Sequence, residues 1–332
     1  MRNSGGYGVN YAPGHDSAAL PKAAKISVGK FSDPEWTAKG ERRAKVSLGG
    51  LHTLWFNTGT LCNIVCEGCY IESGPRNDRL VYLTRADVRA FLLEAKDNHP
   101  ELKEIGFTGG EPFMNPDFIE ILSDALGAGY RVLVLTNAMK PMRHHRAALS
   151  DLRKRYCESL AIRVSLDHYT REGHEKIRGA RSWEPAMDGI RWLASEGFDL
   201  AIAARSISGE SDEEMRLGFA ALFEREAFAI DAEDPHRLVL FPEMDEFADV
   251  PEITERCWDI LGKSPDDVMC SHARMVVKRK GAANPVVTAC TLLPYDARFE
   301  MGATLKEAGG PVSLNHPHCA KFCVLGGASC SA

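Results

Sequence analysis

The sequence lacks the features that commit a chain to a membrane, to nucleic acid or to export. No apolar run approaches the roughly 18 residues that a membrane-spanning helix needs, and the N-terminus has no charged segment followed by an apolar core. The sequence also lacks an excess of positive charge, because its 40 Lys and Arg residues are outnumbered by 46 Asp and Glu residues, for a net charge of −6. Nothing in this balance favours a nucleic-acid backbone or an anionic membrane surface as a partner, and we expect a cytoplasmic protein.

Cysteine, by contrast, is abundant, with ten residues in a chain of 332. A reducing compartment disfavours disulfides, so clustered cysteines in such a protein more often bind metal. Three fall within residues 62–69 and five within residues 270–330, whereas Cys157 and Cys257 stand alone. These two lie in stretches of apolar periodicity, which favours buried structural thiols.

Cys62, Cys66 and Cys69 form a Cys-x3-Cys-x2-Cys run on one short segment. A structural zinc site needs four protein ligands, and an ordinary ferredoxin cluster also needs four cysteines. A loop that supplies three thiolates leaves one corner of a metal centre free for a ligand that is not protein. A zinc knuckle that shares a distant fourth ligand is the alternative interpretation.

From about Val46 to Pro242, six β-rich runs alternate with amphipathic helical patterns. The predicted strands are Thr53–Asn57, Glu104–Thr108, Arg131–Thr136, Leu160–Ser165, Leu200–Ser206 and Leu238–Phe241. The predicted helices lie near Arg85–Asn98, Asp117–Ala128, Arg143–Tyr156, Glu184–Ser195 and Asp212–Glu226. Such alternation predicts an α/β fold with a parallel sheet, and six repeats rather than eight predict an open partial barrel. Sites in such folds gather at the carboxyl ends of the strands, and the three-cysteine run directly follows the first strand.

A Gly109-Gly110-Glu111 motif follows the second predicted strand. Glycines allow a backbone to approach a ligand closely, and a carboxylate beside an ammonium group makes a charge-assisted hydrogen bond. The motif lies one βα unit after the three-cysteine run, and together they resemble the signature of the radical S-adenosylmethionine (SAM) superfamily. The resemblance covers approximately residues 50–242 and implies a partial (β/α)6 TIM-like barrel.

In that family, three cysteines hold a [4Fe–4S] cluster whose free iron chelates the amine and carboxylate of SAM. The resemblance implies that the reduced cluster passes an electron into SAM and that a 5′-deoxyadenosyl radical then removes a hydrogen atom from the substrate. It also implies an electron donor such as flavodoxin or ferredoxin. The residues that it assigns to SAM are Gly109, Gly110, Glu111, Asn137, Ser165 and Asp167. Asn137, Ser165 and Asp167 are polar residues at strand ends, and their alternative role is to cap the turn that follows. Gly68 departs from the family, which usually places an aromatic residue there.

The C-terminal part of the chain carries the second group of cysteines. A predicted β-hairpin, Ala273–Lys280 with Pro285–Thr288, separates the first two of them. This arrangement resembles the Twitch or SPASM extension of radical SAM enzymes, whose cysteines ligate auxiliary iron–sulfur clusters. The resemblance implies one auxiliary [4Fe–4S] cluster, with a zinc site as the alternative. Its candidate ligands are Cys270, Cys290 and two of Cys319, Cys323 and Cys330. For His316 and His318 nearby, solvated loop side chains are favoured over metal ligands.

We predict three segments: an irregular N-terminal extension at 1–45, the partial barrel at 46–263 and the auxiliary iron–sulfur domain at 264–332. The implied function is hydrogen abstraction from a small metabolite or a peptide. An iron–sulfur electron carrier and a zinc-stabilised binding module are the alternatives. The sequence identifies neither the substrate nor a catalytic residue.

Overall fold

The computed structural model describes residues 29–206, 209–242, 245 and 247–327. Cys330 and the first 28 residues therefore lie outside the described part of the chain. The strands are β1 (Lys45–Val46), β2 (Thr53–Asn57), β3 (Glu104–Thr108), β4 (Arg131–Thr136), β5 (Leu160–Ser165), β6 (Asp199–Ser206), β7 (Leu238–Pro242), β8 (Ala273–Val277), β9 (Val286–Thr288), β10 (Glu300–Gly302) and β11 (Val312–Ser313). The α-helices are α1 (Arg85–Asn98), α2 (Phe118–Gly127), α3 (Lys140–Arg143), α4 (Arg146–Tyr156), α5 (Arg171–Arg178), α6 (Trp183–Glu196), α7 (Asp212–Glu226) and α8 (Cys257–Leu261), and a π-helix spans Cys319–Leu325. No helix among these residues is long and apolar enough to cross a membrane.

Nine strands form one sheet in the order β10-β9-β8-β2-β3-β4-β5-β6-β7. From β2 to β7, each strand runs parallel to its neighbour. From β2 to β7 the strand order follows the chain, and at least one helix lies between each strand and the next, ending with α7 between β6 and β7. The predicted α/β class and the six-stranded partial barrel are therefore confirmed.

Successive residues of the inner strands pack on opposite faces of this sheet. Leu54 and Phe56 of β2 belong to the larger apolar core, which the helices share, whereas Trp55 between them belongs to the core on the other face. In β4, Val134 likewise belongs to the larger core and Leu133 to the core on the other face. The sheet is buried on both faces, which explains why its strands are nearly continuous apolar runs in the sequence.

The C-terminal extension continues the same sheet. β8 pairs with β2 in parallel, and β9 and β10 follow in antiparallel pairings. The predicted hairpin is confirmed by the pairing of β8 with β9. Because β8 lies beside β2, the extension also contacts the segment that follows β2, where Val81 N donates to Lys278 O at 2.8 Å.

The segment before the barrel is anchored to this extension. β1 pairs with β11 in antiparallel fashion. Arg43, just before β1, is 1% exposed and forms a buried ion pair with Glu252 at 2.5 Å. Its guanidinium also donates to Leu314 O at 3.2 Å. The two ends of the described chain are therefore held together by a small sheet and by one buried arginine.

Two local predictions were wrong. Cys157 is exposed rather than buried, because it follows the last turn of α4 at the surface. The predicted helix at Arg143–Tyr156 is divided into α3 and α4, with His144 and His145 between them. Cys257 is half-buried.

Gly189 of α6 tests how tightly the helices pack against the strand ends. A Cβ at this position would lie 2.0 Å from Ala138 O, in the segment that follows β4. Ala is the better helix former by about 1 kcal/mol, but overpacking that moves a backbone costs about 1–3 kcal/mol. We therefore expect Gly189→Ala to lower the free energy of unfolding in urea. Gly127→Ala in α2 is the matched control, since a Cβ there meets Tyr156 Oη at an ordinary 3.5 Å. Equal effects of the two substitutions would contradict this packing.

Candidate functional site

A cavity opens at the carboxyl ends of the parallel strands, and residues of both the barrel and the extension line it. The predicted site residues in its wall are Cys62, Cys66, Cys69, Gly109, Gly110, Asn137, Ser165 and Asp167. Each of them ends or follows one of the strands β2 to β5, so the parallel sheet explains why they converge. Glu111 lies behind this wall, and Cys270, Cys290, Cys319 and Cys323 lie in the adjoining apolar core.

Two thiols of the cysteine loop, Cys62 and Cys66, lie where free thiolates are unfavourable. Cys62 is 5% exposed, and burial raises its pKa to about 12. Burial also raises the pKa of Cys66, although the guanidinium of Arg178 opposes this shift. The charges of Cys62 and Cys66, and of Cys66 and Cys69, repel one another. A metal centre among them would relieve both effects, because metal binding deprotonates cysteine. The donor set therefore fits an iron–sulfur cluster with three protein ligands.

The Gly109-Gly110 turn is packed against the beginning of the cysteine loop. Gly110 N donates to Gly59 O at 2.8 Å, and Glu111 N donates to Leu61 O at 3.0 Å. A Cβ on Gly110 would lie 2.1 Å from Leu61 O, and one on Gly109, whose φ is +141°, would lie 2.5 Å from Gly59 O. From the sequence, we expect these glycines to allow close approach of a ligand. In the structure, the close approach that requires them is to the cysteine loop itself.

Glu111 is a buried carboxylate that faces the end of β4. Its Oε1 accepts from Thr136 Oγ1 at 2.8 Å and from Phe113 N at 3.3 Å, and its Oε2 accepts from Asn137 N at 2.9 Å. Burial raises the pKa of Glu111 to about 7, although these hydrogen bonds oppose the shift. The carboxylate is thus committed to protein donors and acts on the cavity through the residues that it holds.

Asn137 is the residue through which Glu111 reaches the thiols. Its Nδ2 donates to Asn63 Oδ1 at 2.9 Å and approaches Cys62 Sγ at 3.8 Å. Its Oδ1 accepts from Met139 N at 3.0 Å, which fixes the turn after β4. The Asn137 amide therefore connects the end of β4 to Cys62, the first cysteine of the loop.

Asp167 lies between two arginines that also line the cavity. Arg178 Nε donates to Asp167 Oδ2 at 2.7 Å, and Arg205 binds both carboxylate oxygens at 3.1 Å. Burial would raise the pKa of Asp167, but the two guanidinium groups outweigh it and lower that pKa to about 2. One negative charge between two positive ones leaves net positive charge at this wall, which suits an anionic group in the cavity.

Arg205 also anchors the cysteine loop. Its Nη1 donates to Glu67 O at 2.8 Å and to Gly68 O at 3.1 Å, between the second and third cysteines. Gly68 has a φ of +63°, and a Cβ on it would lie 3.3 Å from Arg205 Nη1. This geometry accounts for glycine where the family usually has an aromatic residue. Sequence reasoning missed Arg205 and Arg178 as site residues, although Arg178 stands in a recognisable Ile-Arg-Gly stretch.

The extension supplies an apolar wall of the cavity. Leu292 and Phe322 both line it, and Phe322 stacks on Phe241 of β7 with ring centroids 5.5 Å apart. Leu292 is two residues from Cys290, and Phe322 is one residue from Cys323. The cavity therefore lies between the cysteine loop and the C-terminal cysteines.

Cys270, Cys290 and Cys319 form a second group of thiols. Burial raises the pKa of Cys270 to about 12 and also raises the pKa of Cys319 well above its usual value, and the charges of both interact with that of Cys290. Cys323 follows Cys319 by four residues on the π-helix. Across the described ranges, no group of three or more His, Cys, Asp or Glu side chains converges as the ligands of a single ion would. A four-iron cluster instead distributes its ligands over separate iron atoms.

His316 and His318 are buried, so the prediction of solvated loop histidines was wrong. Burial lowers the pKa of each to about 4. His318 N donates to His316 Nδ1 at 3.1 Å, and the His316 ring lies against Phe299. Both rings are neutral parts of the core that surrounds the second group of thiols.

Residues 56–217 match the family model described as the Radical SAM superfamily. The antilisterial bacteriocin subtilosin biosynthesis protein AlbA of Bacillus subtilis (strain 168) is 32% identical over 143 residues, which are 43% of this chain and 30% of AlbA. The mycofactocin maturase MftC of Mycobacterium ulcerans (strain Agy99) is 30% identical over 170 residues, which are 49% of this chain and 42% of MftC. The chain thus matches less than half the length of these curated relatives.

A solved structure shares the fold. Streptococcus suis SuiB bound to S-adenosylmethionine matches with a TM-score of 0.56 at 13% identity, over 76% of this chain and 63% of that chain. A match at this identity concerns the fold only. It agrees with the partial barrel deduced from the strand order.

Glu111 should make the free energy of unfolding depend on pH. Its pKa rises from 4.5 to about 7 on folding, so the folded state binds this proton more tightly than the unfolded state does. The stability that this proton provides is complete below the unfolded pKa and is lost as the pH rises through the folded pKa. Between pH 5 and pH 8, we expect the wild type to lose about 2.5 kcal/mol more than Glu111→Gln does, measured by urea denaturation of metal-free protein.

Glu120→Gln is the matched control, because Glu120 is an exposed carboxylate on α2. It should leave the wild-type pH profile unchanged. Parallel profiles for the wild type and Glu111→Gln would show that the buried carboxyl group has an ordinary pKa.

Proposed function

We propose that the chain is a radical SAM superfamily enzyme and that it uses reductive cleavage of SAM to abstract a hydrogen atom from a substrate in the central cavity. The observation that carries this proposal is the convergence of Cys62, Cys66 and Cys69 with the Gly109-Gly110 turn on one cavity. When bound, a [4Fe–4S] cluster supplies one electron to the sulfonium of SAM, whose carbon–sulfur bond breaks to give methionine and a 5′-deoxyadenosyl radical. An electron donor such as flavodoxin or ferredoxin supplies that electron.

The cavity wall offers several parts of SAM a chemically matched group. Cys62, Cys66 and Cys69 would hold the cluster and leave one iron for the amine and carboxylate of SAM. The backbone of Gly109 and Gly110 faces the cavity beside them. In this proposal, Glu111 contributes by fixing that turn and Asn137, in place of a direct contact with the ammonium group.

The strand-end polar groups would bind the remaining parts of SAM. Ser165 and Asp167 line the wall at the end of β5, together with the two arginines that surround Asp167. The net positive charge there complements a carboxylate and the anionic cluster. Asp167 is already paired with both guanidinium groups, so its first role is to orient them.

We propose one auxiliary [4Fe–4S] cluster in the extension. Cys270, Cys290 and Cys319 would supply three ligands, and Cys323 or Cys330 the fourth. The thiols of the first three interact electrostatically in the folded chain. Leu292 and Phe322, which line the cavity, are two residues from Cys290 and one residue from Cys323, so a cluster there would lie beside the cavity, in position to bind substrate or to accept an electron.

We propose a peptide as the substrate, with a small metabolite as the alternative. AlbA and MftC are described as a bacteriocin biosynthesis protein and a mycofactocin maturase. SuiB, which shares the fold, has been solved with its precursor peptide SuiA. The apolar wall formed by Phe241, Leu292 and Phe322 would accommodate a side chain of such a peptide and exclude water from the reacting atoms.

SAM cleavage is the activity that tests the proposal. Anaerobically reconstituted protein should hold roughly eight irons in two four-iron clusters, and it should release 5′-deoxyadenosine when SAM and a reductant are both present. Cys66→Ala should abolish this release, because the cluster beside SAM loses one of its three ligands. The readout is 5′-deoxyadenosine by mass spectrometry. Bound zinc with little iron, or no 5′-deoxyadenosine from iron-loaded protein, would contradict the proposal.

Cys290→Ala is the matched control for the cysteine loop. Cys290 belongs to the extension and not to the cavity wall, so its loss should remove about half of the iron and leave SAM cleavage at least partly intact. Iron and 5′-deoxyadenosine should be measured on the same samples of both variants. If Cys290→Ala folds but loses cleavage as completely as Cys66→Ala, the two groups of cysteines do not have separate roles.

A further inference from the structure

Arg274 of β8 is a buried cation whose guanidinium is held by backbone carbonyls. It donates to Ala308 O at 2.9 Å, Cys270 O at 2.6 Å, Ala273 O at 2.7 Å and Gly310 O at 3.2 Å. The residue is 1% exposed. In the part of the chain that the structure describes, no carboxylate forms an ion pair with it.

Buried Arg43 and the half-buried Arg178 and Arg205 each have an acidic partner. Arg43 pairs with Glu252, and Arg178 and Arg205 share Asp167. Removing a guanidinium from water is strongly unfavourable unless a negative charge or a complete set of acceptors replaces the solvent. The four carbonyls satisfy the donors of Arg274 but do not neutralise its charge.

Deprotonated cysteines would supply negative charge beside Arg274. The charge of Arg274 interacts with the thiolates of Cys270 and Cys290, and Cys319 interacts with both of these thiols. The contact between Arg274 Nη1 and Cys270 O places the guanidinium against the backbone of one of these cysteines. With every thiol protonated, this core would hold an unbalanced positive charge, and thiolates bound to a metal would balance it.

We infer that Arg274 is the built-in counter-charge of a thiolate-ligated iron–sulfur cluster at Cys270, Cys290 and Cys319, and that it raises the reduction potential of that cluster. This inference rests on the auxiliary cluster of the proposed function. Reduction adds one electron to an already anionic centre, so a fixed cation beside it stabilises the reduced form more than the oxidised form. The planar fork of arginine, held by four carbonyls, keeps that charge in place.

The test isolates the auxiliary cluster in a protein whose loop cysteines, Cys62, Cys66 and Cys69, are all replaced by Ala. In this background, iron content and the midpoint potential are measured by EPR-monitored redox titration. Arg274→Gln removes the charge and should shift the potential to more negative values, with loss of iron on exposure to a chelator. Arg274→Lys keeps the charge and should retain both the iron and a potential close to that of its parent.

Arg43→Gln is the matched control, because it removes a buried arginine whose charge is balanced by Glu252. It should lower the melting temperature and leave the potential unchanged. An unchanged potential in iron-loaded Arg274→Gln, or an equal shift in Arg274→Lys, would overturn the inference. If Arg274→Gln gives no soluble protein, Arg274→Lys decides: retained iron supports the role of charge, and lost iron in folded protein overturns it. A parent protein without any cluster would instead refute the auxiliary site of the proposed function.

Discussion

The site depends on the packing of the Gly109-Gly110 turn against the cysteine loop. The loop has almost no regular secondary structure of its own, so its position is set by contacts with the strand ends. Two backbone hydrogen bonds from the turn reach Gly59 O and Leu61 O, and the space between the two segments admits no Cβ. The same turn begins the segment that carries Glu111, whose carboxylate holds the end of β4. One close backbone contact thereby connects three consecutive strand ends.

Charge completes this arrangement on the opposite side of the cavity. Asp167 is ionised because two arginines surround it, and one of them, Arg205, extends to the backbone between Cys66 and Cys69. The loop is therefore held from β3 by glycine packing and from β6 by a guanidinium group. A buried ion pair of this kind contributes little net stability, and breaking it by removing one partner leaves an uncompensated charge. The ion pair matters because it holds Arg205 against the cysteine loop and so fixes the positions of the thiols.

The regular elements could be predicted from the sequence because both faces of the sheet are buried. The bounds of β2, β3, β4 and β5 agree with the apolar runs from which they were predicted. Eight of the residues that line the cavity could also be predicted, because motifs at strand ends converge in any parallel barrel. The direction of the Glu111 side chain could not be predicted, because it depends on hydrogen-bond donors that lie 25 and 26 residues further along the chain. Arg205 was missed for the same reason, because its loop partners lie about 140 residues away.

The central claim is that SAM binds the iron that Cys62, Cys66 and Cys69 leave free. Electron–nuclear double resonance of the dithionite-reduced protein with SAM labelled with ¹⁵N at its amino group tests this most directly. The account predicts hyperfine coupling between the cluster and this nitrogen in the wild type and in Cys290→Ala, and its loss in Cys66→Ala. An EPR spectrum of the reduced, iron-loaded protein that SAM does not change, with no ¹⁵N coupling, would contradict it.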